Sequence, residues 1–198
     1  MALGTDRIVN AALALLDREG LDRLSTRRLA TALHIQGPSL YHHFRNKAEL
    51  LGQMAAAMLR DSLAPLDQSV AWDVWLRSLA HATRRMVLRR RDGARLLASS
   101  YPNNAMQYEL VPRLAQPLVA SGFALTSANE SVTFVAMFVL GWTINEQNER
   151  MRRLMGSLVD VEEAFANGVE TLLAGIAART AQPLSQPRAA RKRSAAKA

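Results

Sequence analysis

"HIQGPSLYHHF", residues 34–44, sets Gly37 and Pro38 ahead of a tight cluster of rings, Tyr41, His42, His43 and Phe44. Proline has no N–H, so inside a helix it is tolerated only in the first turn, where that group has no intrahelical partner. The stretch therefore predicts a short helix from about Gln36, with small residues at its start and rings towards its end. Phe44 shares the apolar phase of Leu40 and is expected in a core, whereas His42 and His43 are expected to face outward. "GPSLY" begins like a nucleophile elbow, but Tyr41 stands where the second glycine is required and no strand precedes it, so a hydrolase is rejected.

Working upstream, Ser25 can cap a second short helix with Leu29, Ala30 and Leu33 facing inward. A first helix begins near Thr5, read as its N-cap, carries Ile8, Ala12, Leu15 and Leu16 on one stripe, and stops at Gly20. Downstream, Leu51, Met54 and Met58 mark a fourth helix that opens at Lys47 and runs to about Leu63, with Pro65 helping to end it. Three short helices so spaced predict a helix-turn-helix unit, whose reading helix stands out from a small core and enters the major groove of DNA.

The residue types then acquire roles. Gly37, Pro38 and Ser39 keep side chains small where a backbone approaches a duplex, and Tyr41, His42 and His43 offer donors and flat faces to phosphates or base edges. Arg27 and Lys47 would neutralise phosphates, and the free N–H groups at the Ser25 helix start add an anion site. The plainer reading of the two histidines is a solvated surface, and a metal site is not expected, because His34 and His81 lack ligand spacing.

Beyond the unit, apolar residues recur every three or four positions and alternating β-branched runs are missing, which predicts an all-α chain. Helices are expected from Trp72 to about Arg91, then briefly to Ser100 before the turn "YPNN", and from 105 to 122, kinked or broken near Pro112. One helix is expected from about Ser127 to Met155, apolar all round its middle and hence buried on both sides, and a last one from about Val159 to Arg179. These last two also suit a self-association surface, and a homodimer through them is expected. The division is 1–47 for DNA binding, 48–180 for a helical effector-binding and dimerisation domain, and 181–198 for a disordered basic tail.

Composition narrows the class. With 198 residues, 49% of them apolar, the chain can bury a real core, and the absence of cysteine excludes disulfides and thiolate zinc sites. A cytoplasmic setting is expected, with no signal peptide and no membrane partner, since the longest apolar run, 132–144, is too short to span a bilayer. Five positive charges (Arg188, Arg191, Lys192, Arg193 and Lys197) sit in the last eleven residues, which leaves the body only +3 of the total +8. That tail is either a solvated extension or a loose hold on DNA through counterion release.

At this point "LSTRRLATALHIQGPSLYHHFRNKAELLGQMAAAML" resembles the N-terminal DNA-binding region of the TetR family of bacterial transcriptional regulators. Further on, "RRRDGARLLASSYP" (89–102), "QYE" (107–109) and "LGWTINEQ" (140–147) resemble the C-terminal domain of its tetracycline-repressor branch. The resemblance implies that Arg27, Ser39, Tyr41, His42, His43 and Lys47 contact double-stranded operator DNA, with Gly37 and Pro38 passing close to it. His34 departs from the glycine usual in that turn, yet histidine is among the residues that reach positive φ at lower cost. Where tetracycline repressors use a histidine and a glutamate around a magnesium–drug chelate, this chain has Leu97 and Asn145, and Leu63, Leu79, Thr83 and Leu114 fall at other drug-contacting places. No metal and no cofactor is therefore expected, and the scaffold is shared without the effector.

The function that follows is a non-enzymatic, homodimeric repressor whose effector is a mostly apolar or aromatic small molecule. Its expected lining is Leu63, Trp75, Leu79, Thr83, Leu97, Ser100, Tyr101, Met106, Leu110, Leu114, Phe134, Met137, Phe138, Trp142 and Asn145, each of which has ordinary core packing as its plainer reading. The fourth helix, which joins Lys47 to Leu63, is the natural lever. Two rivals are an effector-independent architectural DNA-binding protein and an all-helical carrier or enzyme. The second finds no acid–base, metal or phosphate-cradling arrangement to support it.

Overall fold

The computed structural model describes residues 4–100 and 105–181, and for 105–107 and 181 the backbone alone. The expected "YPNN" turn, Tyr101, the Met106 side chain and the basic tail beyond 181 lie outside the described residues. All regular structure among the described residues is helical: α1 (Thr5–Glu19), α2 (Thr26–Leu33), α3 (Gly37–Leu40), α4 (Lys47–Leu63), α5 (Trp72–Leu88), α6 (Gly93–Ser99), α7 (Val111–Ala120), α8 (Leu125–Gln147), α9 (Glu149–Leu158) and α10 (Val161–Ala181).

Local chemistry sets most of the boundaries. Gly20, at φ +82°, ends α1 and returns its N–H to the Leu16 carbonyl at 2.8 Å. The Ser25 hydroxyl caps α2 by accepting the Arg28 N–H. His34 closes α2 in the left-handed region, at φ 55° and ψ 41°, where glycine would be the unstrained choice. Asn46 caps α4 by accepting the Glu49 N–H at 2.9 Å, and the Glu49 carboxylate accepts the Arg45 N–H at 2.7 Å. This reciprocal pairing satisfies donors that a bare helix start leaves free.

Thr5 is the first residue of α1 rather than its cap; Gly4 holds that place, and the Thr5 hydroxyl lies 3.4 Å from His43 Nδ1 instead. A π-helical turn, Ala105–Leu110, leads into α7, with Pro112 in the first helical turn. The single helix expected from 127 to 155 is two: α8 ends at Gln147, and Asn148 starts α9 by accepting the Arg150 and Met151 N–H groups.

Two apolar cores form. The smaller joins α1, α2 and α3 through Ile8, Leu16, Leu29, Leu40 and Phe44, and it also takes Leu50, Met54 and Met58 from α4 and Leu96 from α6. The larger is built from α5, α7, α8 and α10 around Trp75, with Ala56 and Leu63 of α4 at its edge. Thus α4 is a wall of both.

The α8 helix is buried on one side only. Val132, Val135 and Val139 pack inward, while Phe134 and Met137 are 45% and 58% exposed. The other described residues cover a single face of it, which is why the burial expected all round is met on that side alone.

Candidate nucleic-acid interface

Leu40 and Phe44 are 2% and 5% exposed, and they pin the four-residue α3 into the small core. The intervening Tyr41 is 58% exposed and His42 is also exposed, so the pinning turns these two rings outward. His43 is half-buried and is steadied by the Thr5 hydroxyl and by the tilted Phe44 ring 6.4 Å away. Burying a ring such as Phe44 stabilises by about 1.5–3 kcal/mol, so the small core fixes the orientation of a helix too short to hold itself.

Arg27, Pro38 and Lys47 are exposed, and Ser25, Gly37 and Ser39 are half-buried. A Cβ built on Gly37 would meet nothing within 4 Å, so the chain itself does not require glycine there. Arg28, the neighbour of Arg27, is held by Glu19 at 2.6 Å. The α2 start is an eight-residue helix whose Arg28 N–H already goes to Ser25.

The residues expected around an effector divide into three groups. Leu63, Trp75, Leu79, Leu110 and Leu114 come together in the larger core, with Phe138 and Trp142 packed against it, and Trp75 Nε1 donates to the Leu114 carbonyl at 2.9 Å. Thr83, Leu97, Ser100 and Asn145 are half-buried; the Ser100 hydroxyl bonds the Leu96 carbonyl, and Asn145 Nδ2 the Gly141 carbonyl. Phe134 and Met137 stand on the outer face of α8, away from that cluster. Trp142 Nε1 is buried without a hydrogen-bond partner among the described residues. Among those residues, no group of three histidine or acidic side chains could hold a metal, and no single helix is long and apolar enough to cross a membrane.

A second set of residues, not foreseen from the sequence, ties the two cores together. The turn between α5 and α6 grips α1 and the segment after it: Arg90 pairs with Asp17 at 2.5 Å, Arg95 with Asp22 at 2.7 Å, and the Asp92 carboxylate accepts the Leu21 N–H at 2.8 Å. The Arg95 guanidinium holds the Asp22 carboxyl below its ordinary value. From the opposite side Gln147 donates to the Val87 and Arg90 carbonyls and accepts the Ala94 N–H at 3.0 Å. Asp92 has φ 55°. The one sequence signal for this junction was an Asp-Gly pair at 92–93 following three arginines.

Nearby, Arg84 is buried between Glu146 (2.7 Å) and Glu162 (2.6 Å), with its guanidinium 4.7 Å from the centre of the Phe165 ring. Phe165 in turn meets Phe138, Trp142 and His81 at 5.3–5.8 Å. These contacts join α5, α8 and α10.

Known proteins resemble this chain in sequence and in fold. Residues 8–54 match the family described as bacterial regulatory proteins, tetR family, and residues 64–156 match the tetracyclin repressor-like C-terminal domain. The tetracycline repressor protein class D of Escherichia coli is 31% identical over 196 residues, spanning 87% of this chain and 88% of that protein. A TetR variant from Acinetobacter baumannii AYE, solved in complex with minocycline, superposes with a TM-score of 0.78 at 32% identity over 92% of this chain and 100% of that one. BioQ, solved with its double-stranded DNA operator, gives a TM-score of 0.72 at 31% identity over 89% of this chain and 99% of that one. With both halves matched and most of the length covered, the chain belongs to the TetR family of bacterial regulatory proteins, DNA-binding transcription regulators and not enzymes.

Proposed function

We propose that the protein is a homodimeric cytoplasmic repressor that holds double-stranded operator DNA through α3 and lets go when a mostly apolar or aromatic small molecule binds its C-terminal half. The observation that carries the DNA part is the split of α3 and the turn that follows it, with Leu40 and Phe44 buried, Tyr41 and His42 exposed, and Arg27 and Lys47 exposed as well. The open space at Gly37 supports it, because the room left there suits a phosphate backbone rather than any part of the chain.

The effector class rests on the composition of the cluster around Trp75, where leucines and aromatic rings from α4, α5, α7 and α8 converge with few hydrogen-bonding groups. Leu97 and Asn145 offer neither an imidazole nor a carboxylate, so a magnesium chelate is a poor fit. The uncovered face of α8, with Phe134 and Met137, and the neighbouring α10 supply a surface for a second copy. A pair of subunits would set two α3 helices about one helical turn of DNA apart, or a multiple of it.

The test is selection of bound duplexes from a randomised pool, followed by gel-shift titration of the enriched sequence. A palindromic site with two half-sites is expected, and Tyr41→Ala with His42→Ala should abolish its recognition while helicity stays intact. Enrichment of no sequence would favour an architectural DNA-binding protein, and unchanged affinity in the double variant would remove α3 from the reading role.

A further inference from the structure

Between the last turns of α4 and α5 lies an open cleft of about 500 Å³. Its floor is apolar, made by Met58, Leu66 and Met86, with the buried, unpartnered hydroxyl of Ser62 among them. Its α5 wall is cationic. Arg85 and Arg89, four positions apart and both exposed, make no ion pair among the described residues, whereas their neighbours are engaged, Arg84 by Glu146 and Glu162 and Arg90 by Asp17.

Asp61 on the α4 side is the one carboxylate lining the cleft, which leaves the wall net positive. The C-terminus of α5 opposes an anion with roughly half an elementary charge, less than the two guanidiniums supply.

We infer that this cleft binds an anionic amphiphile, with a carboxylate gripped by Arg85 and Arg89 and an apolar chain laid over Met58, Leu66 and Met86. Guanidiniums match a carboxylate fork to fork, and methionine floors adapt to chains of varied shape. Apart from Leu66, which also packs against the larger core, the site uses different side chains from the cluster around Trp75, and it stands whether or not that cluster receives an effector.

The experiment is calorimetric titration of the full-length protein with decanoate, decanol and decyltrimethylammonium. Decanoate should bind at least tenfold more tightly than decanol. Arg85→Gln with Arg89→Gln should weaken decanoate at least tenfold and leave decanol as it was. Both arginines are exposed, so an unchanged circular dichroism spectrum is expected to confirm that the variant is folded. Absence of decanoate binding, or equal binding of the ammonium amphiphile, would overturn the inference. So would decanoate affinity that survives the double variant but disappears in Leu79→Trp, since the ligand would then sit in the larger core.

Discussion

The Asp92 carboxylate accepts the backbone N–H of Leu21 at 2.8 Å, across 71 positions of sequence, and so ties the turn after α5 to the end of the N-terminal helix. Asp92 does this from a left-handed backbone conformation that few side chains tolerate.

Asp92→Ala should therefore cost about 1–3 kcal/mol, the sum of an unmade part-buried hydrogen bond and a strained alanine at positive φ. Asp92→Asn, which tolerates that φ and keeps an acceptor oxygen, should cost less than about 1 kcal/mol. Urea denaturation reads both, and equal midpoints for the alanine variant and the parent would remove the strap from the stability account.

Arg84 has a side chain only 8% exposed, between Glu146 at 12% and Glu162 at 74%. Arg84→Met strands the buried Glu146 and should destabilise by about 3–5 kcal/mol, whereas adding Glu146→Leu should restore much of that loss, because the desolvated charge goes with it. A double-mutant cycle of melting curves gives the coupling. Additive losses would mean that the two side chains do not act as a pair.

Acid should weaken the fold in two stages. Burial, with Arg85 and Arg84 close by, holds His81 below its ordinary value of 6.5, so the unfolded chain takes up that proton first and stability declines as pH falls through 6.5. Hydrogen bonds from Arg84 and Arg77 hold Glu162 and Glu170 below their ordinary 4.5, so their contribution is full above that value and is lost as pH falls below it. The second stage is modest, because both carboxylates are largely exposed. His81→Asn should flatten the first stage in a series of urea titrations. A parent protein that gains stability between pH 7 and 5.5 would contradict the assignment.

At the DNA face, Gly37→Leu should change melting little, because a Cβ there meets nothing within 4 Å, yet it should lower operator affinity at least tenfold. Lys47→Ala should weaken binding to all sequences alike and reduce the salt dependence by about one counterion. Gel shifts at several salt concentrations separate the two effects, and a Gly37→Leu protein that binds normally would show that no backbone passes close by.

Met137→Glu on the outer face of α8 replaces a side chain that is 58% exposed. It should change the stability of a single chain by no more than about 0.5 kcal/mol. Analytical ultracentrifugation should nevertheless move the protein from dimer to monomer, and a variant that sediments like the parent would place the subunit contact elsewhere.

The features legible in the sequence were those set within a few residues. Gly20 and Ser25 mark their helix ends by backbone freedom and capping, the left-handed turn at His34 fits its permitted φ, and the spacing of Leu40 and Phe44 separates core from exposed rings. The break at Asn148 is masked in the sequence by the helical spacing that continues from the apolar run of α8 into 149–155, although an asparagine followed by glutamate is a helix-start signal. Phe134 and Met137 fall among the expected effector-lining residues because periodicity records that a face is apolar, not what covers it. The straps through Asp92, Gln147 and Arg84 could not be read at all, since each joins residues 53 to 78 positions apart by tertiary placement alone.

Because Leu50, Met54 and Met58 of α4 line one core and Ala56 and Leu63 line the other, the molecule has no seam at residue 47. Cutting the chain there would take from the first three helices the wall that Leu50, Met54 and Met58 supply and leave those side chains bare on the longer fragment, so the N-terminal piece should not survive folded on its own, and heating should melt the intact protein in a single calorimetric peak.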